Sequence, residues 1–208
     1  QFSSVSLTAL GNTTIQANNG VVASSDTVYA AIAKIALKEK FSIPSEYLKT
    51  VKALFDKDEI KWAATEYQLV IRSRDTVLLL PAVSVEGPSL DEIAGLFETQ
   101  IGETLFKFSS KTAPLASFLR STKEIPHFSI FPEKKSIKLT VEVPGYAVEE
   151  QFECDKLTIV KEGAITVNST NLLEAFSRAG DRATVIVTDK TIYVSGDNMD
   201  TVIMGRSE

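Results

Sequence analysis

Residues 41–81, FSIPSEYLKTVKALFDKDEIKWAATEYQLVIRSRDTVLLLP, and residues 164–205, AITVNSTNLLEAFSRAGDRATVIVTDKTIYVSGDNMDTVIMG, follow one plan: a short strand, a capped helix, then three strands. Their closing strands, DTVLLLP and DTVIMG, set Thr76 opposite Thr201. Self-similarity at this length means that a supersecondary unit is what the chain repeats. Working outward, Leu105 to Phe152 shows the plan again, with strand LFKF, helix TAPLASFLRSTKEI and strands around HFSIF, SIKLTVEV and YAVEEQF. The stretch from Gln1 aligns roughly with the stretch from His127, placing Phe2 near Phe128. Four half-units are therefore expected, paired into two copies of one domain, the first copy lacking its opening strand and helix. The predicted class is α+β, with a first domain over 1–84, a connector over 85–103 and a second domain over 104–208.

Periodicity places the helices. Ser45 is suited to cap a helix with Tyr47, Leu48, Val51, Leu54 and Phe55 on one face and Lys49 and Lys52 on the other. In the second helix Thr112 is the expected cap, Pro114 is tolerated in the first turn, Leu115, Phe118 and Leu119 turn inward, and Arg120 and Lys123 turn away. The third buries Leu172, Ala175, Phe176 and Ala179, exposes Ser177 and Arg178, and stops at Gly180. Strands show apolar alternation, as at Val5, Leu7 and Ala9 and at Tyr67, Leu69 and Ile71. The connector carries Glu86, Asp91, Glu92, Glu98 and Glu103 without a base; its SLDEIAGLF is open to a short helix or a surface path, as passive tether or partner-binding segment.

Composition narrows the chemistry. The 208 residues are 44% hydrophobic and 24% charged, the range of globular proteins, and the longest apolar run, Val77 to Val83, is far too short to span a membrane. The net charge of −5 argues against a uniformly basic nucleic-acid binder. Cys154 is the sole cysteine, which rules out an internal disulfide and suits a reducing, cytoplasmic compartment. The start at Gln1 implies that the natural protein has residues before it. His127 is the sole histidine, and no nucleophile-elbow or phosphate-loop pattern accompanies it or Cys154. His127 reads as a residue opening a strand and Cys154 as a small packed or half-exposed side chain. Glu149 with Glu150, or Asp197 with Asp200, are the carboxylate pairs available to Mg²⁺, and both read as solvated strand and turn residues. No metal site, cofactor or catalytic residue is expected.

In its order and spacing the chain resembles the DNA polymerase sliding clamps: the bacterial β clamp, the phage clamps and PCNA. FSIPSEYLKTVKAL is similar to the strand and helix opening the second half of a bacterial clamp domain, ANNGVVAS to that family's A-T-D-G-x-x-L-A turn, and TVIMGRSE to its V-x-M-P terminus. The resemblance implies a DNA-clamp fold with helices lining a channel and sheets outside. It also implies a non-enzymatic, ring-forming processivity factor that encircles duplex DNA regardless of sequence. Such a factor binds DNA polymerase and a clamp loader through a short peptide motif and associates with itself, as a homotrimer if the chain is a two-domain subunit. A piece of a three-domain bacterial clamp is the competing expectation for the chain, and a monomeric accessory protein that binds DNA on one face is the competing function.

A sliding ring needs Lys and Arg on hydrated helix faces, touching phosphates without reading bases. Residues 111–124 carry a net +2 and residues 44–57 a net +1, while 169–182 balance at zero. The candidate DNA contacts are Lys49, Lys52, Lys111, Arg120, Lys123, Arg178 and Arg182. The resemblance assigns the partner-peptide groove to Asn18, Gly20, Ala23, Val202 and Met204.

Overall fold

The computed structural model describes residues 14–18, 21–25, 29–34, 40–44, 46–55, 59–65, 67–82, 89–143 and 146–206. In chain order the elements of the first part are β1 (Thr14–Asn18), β2 (Val21–Ser25), β3 (Tyr29–Lys34), β4 (Phe41–Pro44), α1 (Tyr47–Phe55), β5 (Lys61–Ala64), β6 (Gln68–Arg72), β7 (Val77–Pro81) and α2 (Leu90–Glu98). The remainder comprises β8 (Thr104–Lys111), α3 (Thr112–Ser121), β9 (His127–Pro132), β10 (Ser136–Val143), β11 (Tyr146–Glu153), β12 (Lys156–Ile159), β13 (Ile165–Asn168), α4 (Ser169–Arg178), β14 (Arg182–Thr188), β15 (Thr191–Gly196) and β16 (Asp200–Met204). The chain divides within α2 into two units, Gln1–Gly95 and Leu96–Glu208.

In the first unit β2 pairs with β3 and β1, and β1 with β4; β6 joins β5 to β7 in a second antiparallel sheet. Ile15, Ala17, Val22, Phe41, Ile43, Leu69, Ile71 and Leu80 from both sheets meet Phe55 of α1 in one core, with Tyr47, Leu48 and Val51 packed against it. Leu54 differs from expectation: it is exposed on α1. Ser45 lies outside the described residues.

The second unit repeats the arrangement and adds to it. One sheet runs β12-β8-β14-β15-β16, the other β11-β10-β9-β13. α3 and α4 pack on one another, burying Leu115 and Leu119 of one and Leu172, Ala175 and Phe176 of the other. Asn168 caps α4 by accepting from the N–H groups of Thr170 and Asn171, and Gly180 ends that run with φ +108°, a conformation that suits glycine. Thr112, expected as a cap, is instead the first helical residue of α3; its hydroxyl donates to the Gly180 carbonyl at 2.5 Å and so ties the starts and ends of the two helices together. β12, absent from the sequence reading, pairs with the edge of β8.

Strand pairing corrects the alignment of the repeat. Thr14 pairs with Pro44 and His127 with Asn168, each partner being the last residue of its strand, so Thr14 is the counterpart of His127 and the match of Phe2 with Phe128 fails. In the closing hairpins the Ser73 N–H donates to Thr76 O and the Gly196 N–H to Met199 O, so Thr76 corresponds to Met199 and not to Thr201. At Gly196 an added Cβ would overlap the carbonyl group of Ala179. Gly196→Ala is therefore expected to destabilise the second unit by about 2 kcal/mol through overpacking, a cost that chemical denaturation reads directly.

The connector region forms a helix. Ser89 and Glu92 make a reciprocal capping box at the start of α2: the Glu92 carboxylate accepts from the Ser89 N–H at 2.7 Å, and the Glu92 N–H donates to Ser89 Oγ at 3.3 Å. The backbone bond to Ser89, then the side-chain bond, hold the Glu92 carboxyl below the ordinary carboxylate range, so the box is complete at neutral pH and loosens as pH falls through that lowered value. Beyond α2, the Ile101 N–H donates to the Tyr193 hydroxyl at 2.6 Å and its carbonyl accepts from Thr188 and Thr191, fixing residues 101–103 to the second unit.

Candidate nucleic-acid and partner interfaces

The candidate DNA residues fall into two groups. Lys49 and Lys52 stand exposed on α1, Lys111 is exposed at the junction of β8 and α3, Arg120 is exposed in the last turn of α3, and Lys123 follows it. Among the described residues Lys123 pairs only with the exposed Glu124, at 4.0 Å, a contact of little energetic weight. The other two arginines face acids. Arg178 Nε donates to Glu174 Oε2 at 2.6 Å along α4, and Arg182, on a strand and not a helix, pairs with Asp155. A phosphate must displace those carboxylates, whereas it meets the first group already hydrated.

The candidate groove residues also divide. Asn18 is exposed at the end of β1; Ala23 is fully buried in β2, paired with Gln16 and Ile32. Gly20 lies outside the described residues. In β16, Val202 is buried while Met204 is 37% exposed, and Thr201 and Ile203 on the opposite face are buried as well. The residues after Met204 are anchored: the Gly205 N–H donates to Lys190 O at 2.7 Å and the Arg206 N–H to Thr166 O at 2.8 Å. Met204 is thus the apolar side chain that β16 offers to solvent.

Burial first, and the positive charge of Arg206 second, push the His127 imidazole below its ordinary value. Burial pushes the Cys154 thiol up to about 11, with Asp155 adding to the shift and a backbone bond opposing it. At pH 8 the thiolate fraction is then about a hundredfold below that of a thiol titrating at 9, and, with the more basic thiolate the better nucleophile, alkylation of Cys154 by iodoacetamide should be roughly tenfold slower than in the unfolded chain. Among the described residues no group of three or more His, Cys, Asp or Glu side chains is placed to hold a metal ion. No helix among them is long and apolar enough to cross a membrane.

Two features escaped the sequence reading because they belong to sheet edges. β7 ends its sheet with Val77 and Leu79 exposed, beside Arg72 and Arg74; β11 ends another with Glu149, Glu150, Gln151 and Glu153 exposed. Alternation in DTVLLLP marks a strand, but only the pairing order identifies it as an edge.

No protein-family model matches the sequence, and no curated protein matches it by sequence. Solved structures match by fold. The DNA polymerase sliding clamp from Bacillus subtilis superposes with a TM-score of 0.78 at 13% identity, over 99% of this chain and 59% of that one. The beta subunit of DNA polymerase from Streptococcus pyogenes gives 0.77 at 13% identity, over 99% of this chain and 60% of that one. Proliferating Cellular Nuclear Antigen from Entamoeba histolytica gives 0.71 at 12% identity, over 94% of this chain and 89% of that one. The chain spans about 60% of the bacterial proteins' length. Taken with the repeated strand–helix–three-strand units, these superpositions establish that the chain has the α+β fold of the DNA sliding clamps.

Proposed function

We propose that the protein is a sliding clamp: a non-enzymatic processivity factor that assembles into a ring around duplex DNA and tethers DNA polymerase and its loader, inside the cell beside replicating DNA. The observation that carries this reading is the clamp fold combined with hydrated basic side chains on its helices, Lys49 and Lys52 on α1 and Arg120 on α3, with Lys123 just beyond. A ring that slides must gain its DNA affinity from phosphate neutralisation alone, and exposed Lys and Arg with no base-reading aromatic among them supply that term. Processive synthesis with and without those charges tests the reading.

For self-association we propose two of the sheet edges, β7 and β11. β7 of one copy, apolar at Val77 and Leu79 and flanked by Arg72 and Arg74, complements β11 of the next, which carries Glu149, Glu150 and Glu153. Antiparallel addition would satisfy both rows of unpaired backbone groups, and a head-to-tail contact of this kind closes into a ring when its rotation permits, here as a homotrimer.

For the polymerase peptide we propose Met204, the exposed apolar side chain of β16, as the contact residue, since a flexible thioether adapts to Leu or Phe side chains; the buried Ala23 and Val202 cannot touch a peptide directly. Met204→Lys is expected to abolish polymerase capture in a pull-down while leaving the assembled mass and thermal midpoint unchanged. Persistent capture would move the site to the connector between Val83 and Phe97.

A further inference from the structure

The two faces of the sheet β12-β8-β14-β15-β16 differ in charge as well as in burial. Residues directly opposite one another on neighbouring strands share a face, so the registers sort the sheet row by row. Ser110, Ala183 and Gly196 form one row, and the end of α4 lies against it, because the Ala179 carbonyl stands where a Gly196 Cβ would be. Phe106, Phe108, Val185 and Val187 belong to this helix-side face and are buried. The opposite face carries Lys107 and Lys111 of β8, Lys156 of β12 across from Ser109, and Arg182 of β14 across from Lys111, all exposed. Lys111 and Arg182, expected to contact DNA together with the helix-borne bases, thus lie on the side of the sheet away from α4.

The strands β12, β8 and β14 contain no Asp or Glu, so this face concentrates positive charge in a chain of net charge −5. Such an arrangement costs stability, since like charges directly opposite one another, as Lys111 and Arg182 are, repel. Asp155 offsets part of it by pairing with Arg182; Lys107, Lys111 and Lys156 form no salt bridge among the described residues. Exposed hydroxyls stand in the same rows, Thr158 across from Lys107 and Thr184 across from Ser109. Alternate residues of a strand are about 7 Å apart and neighbouring strands about 5 Å, so the four cations form an open grid.

We propose that this face binds the phosphate backbone of single-stranded nucleic acid. A flexible strand can follow a flat grid and meet several cations at once, whereas a rigid duplex touches a flat face along one line. The hydroxyls supply donors to phosphate oxygens. An acidic peptide is the poorer fit, because its affinity would need apolar anchors, and the exposed side chains in these rows are Lys, Arg and Thr. No aromatic side chain is exposed on this sheet among the described residues, so bases are not stacked and binding is weak, indifferent to sequence and steeply dependent on salt.

The experiment uses the full chain carrying Lys49→Glu, Lys52→Glu, Arg120→Glu and Lys123→Glu, which removes the helix-borne charges and keeps the outcome separate from that of the clamp reading. Fluorescence anisotropy follows titration of oligothymidylate of about 20 nucleotides, longer than a single domain typically covers, and of a duplex of equal length. The single strand should bind at low salt and the duplex should not. Adding Lys107→Ala, Lys111→Ala and Lys156→Ala should weaken that binding about tenfold or more and lower the slope of log affinity against log salt by about two. The thermal midpoint should hold, since the three side chains are exposed and make no salt bridge among the described residues. Polyglutamate of matching charge serves as the acidic-peptide probe. The proposal is overturned if the single strand does not bind, if the three alanines leave its salt slope unchanged, or if duplex or polyglutamate binds as tightly.

Discussion

Replacing Lys49, Lys52, Arg120 and Lys123 together by Glu is expected to remove duplex binding and collapse processive synthesis to the level of polymerase alone. The unaltered protein should bind linear duplex weakly and without regard to sequence. If four phosphates are neutralised, its affinity should fall roughly a hundredfold between 50 and 200 mM salt, from counterion release alone. Stability should change little: all four side chains are exposed and only Lys123 is paired, loosely, so the cost is about 1 kcal/mol, most of it from reversing charges in the last turns of α1 and α3. Gel-shift titrations across salt, with primer extension on a long template, measure both effects. Retained processivity in the folded variant would reduce these residues to solvated surface.

Leu79→Glu is expected to dissociate the assembly into single chains. Leu79 is exposed on the free edge of β7, so the isolated chain should fold normally. Within a β7–β11 contact the change removes a buried leucine and sets a carboxylate against Glu149 or its neighbours, a loss of about 3–5 kcal/mol and so roughly a hundred- to several-thousandfold in the dissociation constant. Sedimentation over a concentration series measures it. An undiminished oligomer would move the self-contact to another surface.

How much of this was legible in the sequence depends on the element. The helices were, because a 3.6-residue period fixes which side chains turn inward: Leu172, Ala175, Phe176 and Ala179 are all buried as the spacing required. Leu54 broke the pattern because it lies at the margin of the apolar stripe. The repeat was legible in kind but not in register. Matching Thr76 with Thr201 moves the hairpin by two residues, and a shift of two keeps every side chain on its own face, so burial patterns cannot detect it; the backbone bonds of the turns can. β12 was missed because KLTI is short and mostly exposed, its existence resting on pairing with β8. Among the candidate site residues, exposure of Lys49, Lys52 and Arg120 followed from helical phase. The Arg178–Glu174 contact lay within reach of the i, i+4 rule, whereas the pairing of Arg182 with Asp155 arises from tertiary structure.

The mass of the assembled protein, measured by native mass spectrometry or light scattering at micromolar concentration and physiological salt, tests the central claim most directly. The proposed homotrimeric ring predicts one discrete species at three times the chain mass, unchanged on dilution until it dissociates. A single chain at every concentration would contradict the ring and leave a monomeric accessory protein of the same fold as the better account.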